Sequence, residues 1–195
     1  MKISKSLMTL GSMLVVAGAL MGVVYASLSD QSKFAGSRFS VASADLKLLA
    51  DLSGGTGVAN LVDSKPAPSY DNVSSQWSDA YLLKVYNNGT QPVTLTSNMD
   101  YATANDPSSL REVLYMEPVE WFDANNNGLV DGEGEQGVSY GKKVFTAWKS
   151  TGFNFGQLEA GATKALIMKF SAGTIASSKM GAVGTFDFMF DSVGL

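Results

Sequence analysis

The segment Tyr81-Leu82-Leu83-Lys84-Val85-Tyr86 reads into Asn87-Asn88-Gly89-Thr90 and then into a second alternating run, Val93-Thr94-Leu95-Thr96. Alternation with period two turns one face of an extended chain toward a core and the other toward water. Asn-Gly readily supplies the positive φ angles of a tight turn. The pattern therefore predicts a β-hairpin with residues 81, 83 and 85 facing the core.

Similar short patterns recur along the chain. Phe39 and Val41 alternate, and Leu46 and Leu48 do so after a change of phase near Ser43, which predicts a bulge or kink. Ala165-Leu166-Ile167-Met168-Lys169-Phe170 is apolar almost throughout, as in a strand buried on both faces. Thr185-Phe186-Asp187-Phe188-Met189-Phe190-Asp191 sets three phenylalanines on one face, and it predicts a strand central to the sandwich. The best helical start is Asp106-Pro107-Ser108-Ser109-Leu110, an acidic N-cap with proline at the first helical position, which predicts a short helix continuing to Val113 and leading into a strand. Residues 53–75 and 97–109 are rich in Gly, Ser, Pro, Asn and Asp and read as surface loops. Many strands, few helices and no βαβ rhythm predict an all-β antiparallel β-sandwich, jelly-roll-like, as one domain over residues 39–195.

Ahead of that domain, Lys2 and Lys5 precede a stretch from Ser6 to Ser29 with no charged residue. This is a targeting or membrane segment; its length alone suits both a retained anchor and a cleaved signal. Val24-Tyr25-Ala26 fits a signal peptidase site, and a polar stretch begins at Ser27. The reading is a signal peptide over residues 1–26, cleavage between Ala26 and Ser27, and an N-terminal extension over residues 27–38. Membrane contact would then be limited to the uncleaved leader. Loss of Lys2 and Lys5 with the leader takes the formal net charge from −4 to −6, which argues against a nucleic acid partner.

The chain has no cysteine and no histidine. Disulfides are excluded, so a packed core, a metal or neighbouring subunits must hold the exported domain. A Ser-His-Asp triad, a Cys-His pair and an H-E-x-x-H zinc helix each lack a member. Paired carboxylates for glycoside hydrolysis stay open, but the expectation is a protein that is not an enzyme.

One segment has the spacing of a ligand loop. In residues 123–135, oxygen-bearing side chains fall at relative positions 1, 3, 5 and 9 (Asp123, Asn125, Asn127 and Asp131), and Gly128 stands at position 6. Calcium takes six to eight hard oxygen ligands, and loops of the EF-hand type supply them at these intervals. Leu129 would offer its carbonyl. Gly134 occupies the place of the usual bidentate acid, with Glu133 and Glu135 on either side as substitutes. The alternative is a polar Asn-Gly turn between two strands. Tyr70, Trp77 and Tyr81 invite comparison with a sugar-stacking strip, against the plainer reading that they close one end of the core.

The residues around the cleavage site, Ala26-Ser27-Leu28-Ser29-Asp30, and the segment Ser37-Arg38-Phe39-Ser40-Val41-Ala42-Ser43-Ala44-Asp45-Leu46 resemble the TasA and camelysin family of secreted fibre proteins. Leu110-Arg111-Glu112-Val113-Leu114, Leu158-Glu159-Ala160-Gly161 and the Phe-rich last strand look like that family too. Leu28 stands where the family has an aromatic residue, and Val41-Ala42-Ser43-Ala44 where it has a glycine. The resemblance implies a jelly-roll sandwich that assembles into biofilm-matrix fibres, as related archaeal bundling pili do.

The expected function is therefore a secreted, cell-surface structural subunit that polymerises with itself, other matrix components being possible partners. Residues 27–38 would serve as a donor strand added to the next subunit's sheet, with Leu28 and Phe34, six residues apart, as its anchors. The alternative is a surface-anchored, calcium-stabilised adhesion or carbohydrate-binding module.

Overall fold

The computed structural model describes residues 29–35, 38–41 and 46–194. The leader with Ala26, Ser27 and Leu28, and the predicted phase change near Ser43, lie outside the described residues. The strands are β1 (Ser29–Ala35), β2 (Arg38–Val41), β3 (Leu46–Leu49), β4 (Leu61–Val62), β5 (Ser78–Asn87), β6 (Val93–Asp100), β7 (Leu114–Trp121), β8 (Gln136–Ser139), β9 (Lys143–Val144), β10 (Phe153–Leu158), β11 (Thr163–Ala172) and β12 (Asp187–Gly194). Among the described residues one short α-helix, α1 (Phe145–Thr151), separates β9 from β10.

These strands form two antiparallel sheets, a jelly-roll-like all-β sandwich. The five-stranded sheet runs β10-β6-β12-β1-β2, and the seven-stranded sheet runs β4-β3-β5-β11-β7-β8, with β9 also paired to β7. Between the sheets lie Leu46, Leu48, Leu83, Val85, Met116, Leu166, Met168 and Phe170 from one side and Leu95, Met99, Phe153, Phe155, Phe188 and Phe190 from the other. Full burial of side chains of this kind stabilises the fold by roughly 1.5–3 kcal/mol each. Trp148 of α1 plugs the same core, stacked 4.9 Å from Phe188, with its indole N–H donating to Ser97 Oγ at 3.1 Å.

The apolar run 165–170 behaves as its composition demands. β11 lies between β5 and β7, and Leu166, Ile167 and Met168 are all buried. Ile167 reaches a second, smaller cluster with Val119 and Trp121, against which Leu52 and Val130 pack. The predicted central position of the last strand is also observed: β12 sits in the middle of the five-stranded sheet with Phe188 and Phe190 buried.

The predicted hairpin does not form. Both strands exist, and Leu83 and Val85 do face the core, but β5 and β6 belong to opposite sheets. β5 already has β3 on one flank and β11 on the other, so β6 must cross to the facing sheet. Asn87 staples this crossing: its side chain donates to the carbonyls of Gln91 (2.9 Å) and Leu158 (3.1 Å) and accepts from the N–H of Gly89 (2.9 Å). β2 and β3 likewise lie in opposite sheets.

Three further expectations need correction. The loop expected from residue 97 begins at 101, since β6 continues to Asp100 and buries Met99. Within 53–75 the chain makes a 3-10 turn (Val58–Asn60) and the short strand β4. The short helix expected over 106–113 is a 3-10 turn over Leu110–Glu112 that leads into β7 as expected, and Asp106 caps it by accepting from the N–H groups of Leu110 (2.7 Å) and Arg111 (3.2 Å).

Candidate functional site

The loop between β7 and β8 is closed by a hydrogen bond from the N–H of Phe122 to the carbonyl of Glu135, 2.8 Å. Its organiser is Asp123. Oδ1 accepts from the N–H of Asn127 (3.0 Å), and Oδ2 accepts from the N–H of Gly128 (3.0 Å) and from Lys84 Nζ (2.7 Å). Asn125 Oδ1 accepts from the N–H of Asn127 (3.1 Å), and Asn127 Oδ1 from the N–H of Leu129 (2.8 Å). Each short side chain thus accepts from backbone a few residues on, which curls the loop and brings oxygen donors together.

Asp131 completes the near side. Its carboxylate accepts from the amides of Asn125 (3.3 Å) and Asn127 (2.8 Å). Four of the predicted residues, Asp123, Asn125, Asn127 and Asp131, are therefore gathered by one hydrogen-bond network. Leu129 enters it through its backbone N–H, and its side chain is exposed. The two glutamates diverge. Glu133 is exposed, whereas Glu135 is buried and its Oε2 accepts from the N–H groups of Asp131 (3.0 Å) and Gly132 (3.2 Å), so Glu135 holds the backbone of the turn.

Gly128 is needed twice over. Its φ of +75° is left-handed, and a Cβ there would lie 2.8 Å from the backbone nitrogen of Ser53. The loop is thus pressed against residues 52–53, and Lys84 joins the two segments by also donating to the carbonyl of Leu52, 2.7 Å. The ammonium stands 5.1 Å from the centre of the Trp121 ring, a cation–π distance. Burial by itself would raise the pKa of Asp123, but the bond from Lys84, the Gly128 N–H, the Lys84 charge and the Asn127 N–H outweigh it and hold the carboxyl below its ordinary value. The part of Lys84 was missed from sequence; a polar residue alternating with core residues on a strand carries no signal of its partner.

The donor set suits a hard cation in kind, because carboxylate and amide oxygens at these four positions match what Ca²⁺ takes. Turning either amide over would present oxygen toward Asp131 only with loss of the bond from the N–H of Asn127 or Leu129. Two carboxylates contribute, and among the described residues no group of three or more Asp or Glu is placed to hold a metal ion.

At the other candidate site, β1 is paired on both flanks. Against β12 it runs from Ser29 opposite Val193 to Ala35 opposite Asp187, with Phe34 opposite Phe188. Against β2 it runs from Ser32 opposite Val41 to Ala35 opposite Arg38, with Phe34 opposite Phe39. Ser29–Ala35, within the segment read as an N-terminal extension, is in this way the fourth strand of the five-stranded sheet of its own chain.

The aromatic strip is not an open platform. Tyr70 and Trp77 meet edge to face at 4.7 Å, Tyr70 lies 5.6 Å from Phe170, and Tyr81 packs on the same core. These rings close the end of the sandwich. Compared with known families, with curated proteins and with solved structures, the chain matches none.

Proposed function

We propose that this chain is an exported structural subunit, without enzymatic activity, that polymerises with itself into extracellular fibres of a biofilm matrix by donor-strand exchange. The observation that carries this reading is the place of β1: it starts three residues after Ala26 and is inserted between β12 and β2. Its departure would strip hydrogen-bond partners from β12, the strand that bears Phe188 and Phe190 of the core. A sheet in that state is a template for an extended segment from another copy, with main-chain bonds supplying affinity and side-chain pockets supplying register. The absence of histidine and cysteine supports a structural rather than a catalytic role, and the resemblance to secreted fibre proteins points the same way.

The loop at 123–135 is proposed as a weak Ca²⁺ site, with Asp123, Asn125, Asn127 and Asp131 as the side-chain ligands. The ion would stiffen the covering of the seven-stranded sheet. Negative-stain electron microscopy of the purified exported protein, with N-terminal sequencing, tests the proposal. Fibres built from a chain that begins at Ser27 are expected; dispersed particles at every concentration, or Lys2 retained on the exported form, would contradict it.

A further inference from the structure

Among the described residues, β2 has a single hydrogen-bonded neighbouring strand. All four of its residues pair with β1, and it is the outermost strand of its sheet. β1 in turn meets the rest of the sheet through β12 alone. The next strand in the chain, β3, lies in the opposite sheet, paired with β4 and β5, with Leu46 and Leu48 among the most deeply buried residues. Among the described residues, β1 and β2 are therefore joined to the rest of their sheet by one hydrogen-bond ladder, β1 to β12.

Two routes of exchange differ in what they break. If β1 leaves alone, it gives up two ladders, with β12 and with β2, and it strands β2 at the sheet edge with no partner. If β1 and β2 leave together, only the ladder with β12 is lost. Chain reach separates the routes further. Two residues lie between Ala35 and Arg38, so their Cα atoms can be no more than about 11 Å apart, which would force two whole domains into contact edge to edge. Four residues lie between Val41 and Leu46, allowing up to about 19 Å, well beyond the ~10 Å that separates packed sheets.

We infer that the exchanged unit is the β1–β2 hairpin, residues 29–41, received as a pair of strands by β12 of a second copy of this chain. This rests on the fibre reading and extends the donor segment from residue 38 to residue 41. The arrival of two strands leaves β2 of the donor as the new sheet edge in the acceptor.

Because the chain has no cysteine, introduced pairs report only on each other. Lys33 is in register with Met189 across the β1–β12 ladder and with Ser40 across the hairpin. Cα separations of directly opposed residues in antiparallel ladders fall within the range that a disulfide spans. Fibres would be assembled from full-length exported protein carrying Lys33→Cys with Met189→Cys, or Lys33→Cys with Ser40→Cys. They would then be oxidised and run on non-reducing denaturing gels, with disulfide-linked peptides mapped by mass spectrometry. Hairpin exchange predicts that the first variant loses its monomer band to a covalent ladder while the second stays monomeric with an internal disulfide. Ladders from both variants would overturn hairpin exchange in favour of a single donor strand and leave the fibre reading standing. Fibres with an internal disulfide in both variants would overturn strand exchange of either kind, and the lack of fibres from unsubstituted protein would overturn the fibre reading itself. Ser32→Cys with Val41→Cys, also in register, repeats the second arm should Ser40→Cys disturb folding.

Discussion

The ammonium of Lys84 lies 2.7 Å from Asp123 Oδ2, and the two side chains are only 8% and 3% exposed. The pair joins β5 to the loop after β7 at the outer face of the seven-stranded sheet. Breaking one half of such a buried pair leaves the other charge unpaired, at a cost of about 3 kcal/mol. Lys84→Ala should therefore lower Tm by roughly 6–12 °C in a domain of this size, measured by differential scanning calorimetry. Lys84→Met combined with Asp123→Asn should recover more than half of that loss. A double variant as unstable as the sum of its singles would show that the two residues act separately.

The same pair sets an acid limit. The folded pKa of Asp123 lies below its ordinary value of 3.8. The stability it contributes is thus present above the unfolded pKa and is lost as pH falls through the folded one. Urea midpoints followed downward from pH 5 should decline more steeply for the natural protein than for Asp123→Asn. Parallel curves would assign the acid sensitivity to other carboxylates.

Calcium at 10 mM should raise Tm by roughly 3–11 °C if the loop binds in the ~10⁻⁴–10⁻³ M range of extracellular sites. Asp131→Ala removes one of the two carboxylates without touching Lys84, and it should abolish the shift. Titration calorimetry without measurable heat, together with an unchanged Tm, would remove Ca²⁺ from the account.

Two glycines of one loop make a controlled comparison. Gly128 and Gly134 both have left-handed φ angles, +75° and +83°, but only at Gly128 would a Cβ meet backbone, 2.8 Å from the nitrogen of Ser53. Gly134→Ala should cost about 1 kcal/mol for the dihedral alone, and Gly128→Ala roughly twice that or more. Equal losses in urea unfolding would mean that the segment at Ser53 yields freely.

How far these features were legible beforehand depends on their range in sequence. β11 and β12 were readable because burial on both faces, or three phenylalanines at period two, constrains a strand wherever its partners lie. The partner of β5 was not readable: Asn87-Asn88-Gly89 looks like a hairpin turn, and only the occupancy of both flanks of β5 sends the chain across the sandwich. α1 is only seven residues long, and Phe145 and Trp148 at helical spacing before Gly152 are its faint signal in the sequence. In the loop, Asp123, Asn125 and Asn127 were legible because their bonds span two to five residues, while Lys84 comes from 39 positions away. The β1–β12 pairing was invisible for the same reason, since it sets Ser29 opposite Val193, in the last strand of the chain.

The central claim is that residues before 42 join one subunit to the next. The most direct measurement compares exported protein starting at Ser27 with protein starting at Ala42, by light scattering and electron microscopy at matched concentrations. The longer chain should form fibres, and the shorter should remain dispersed with a lower Tm because the edge of β12 is bare. Fibres of the same diameter and stability from the shorter chain would contradict the account.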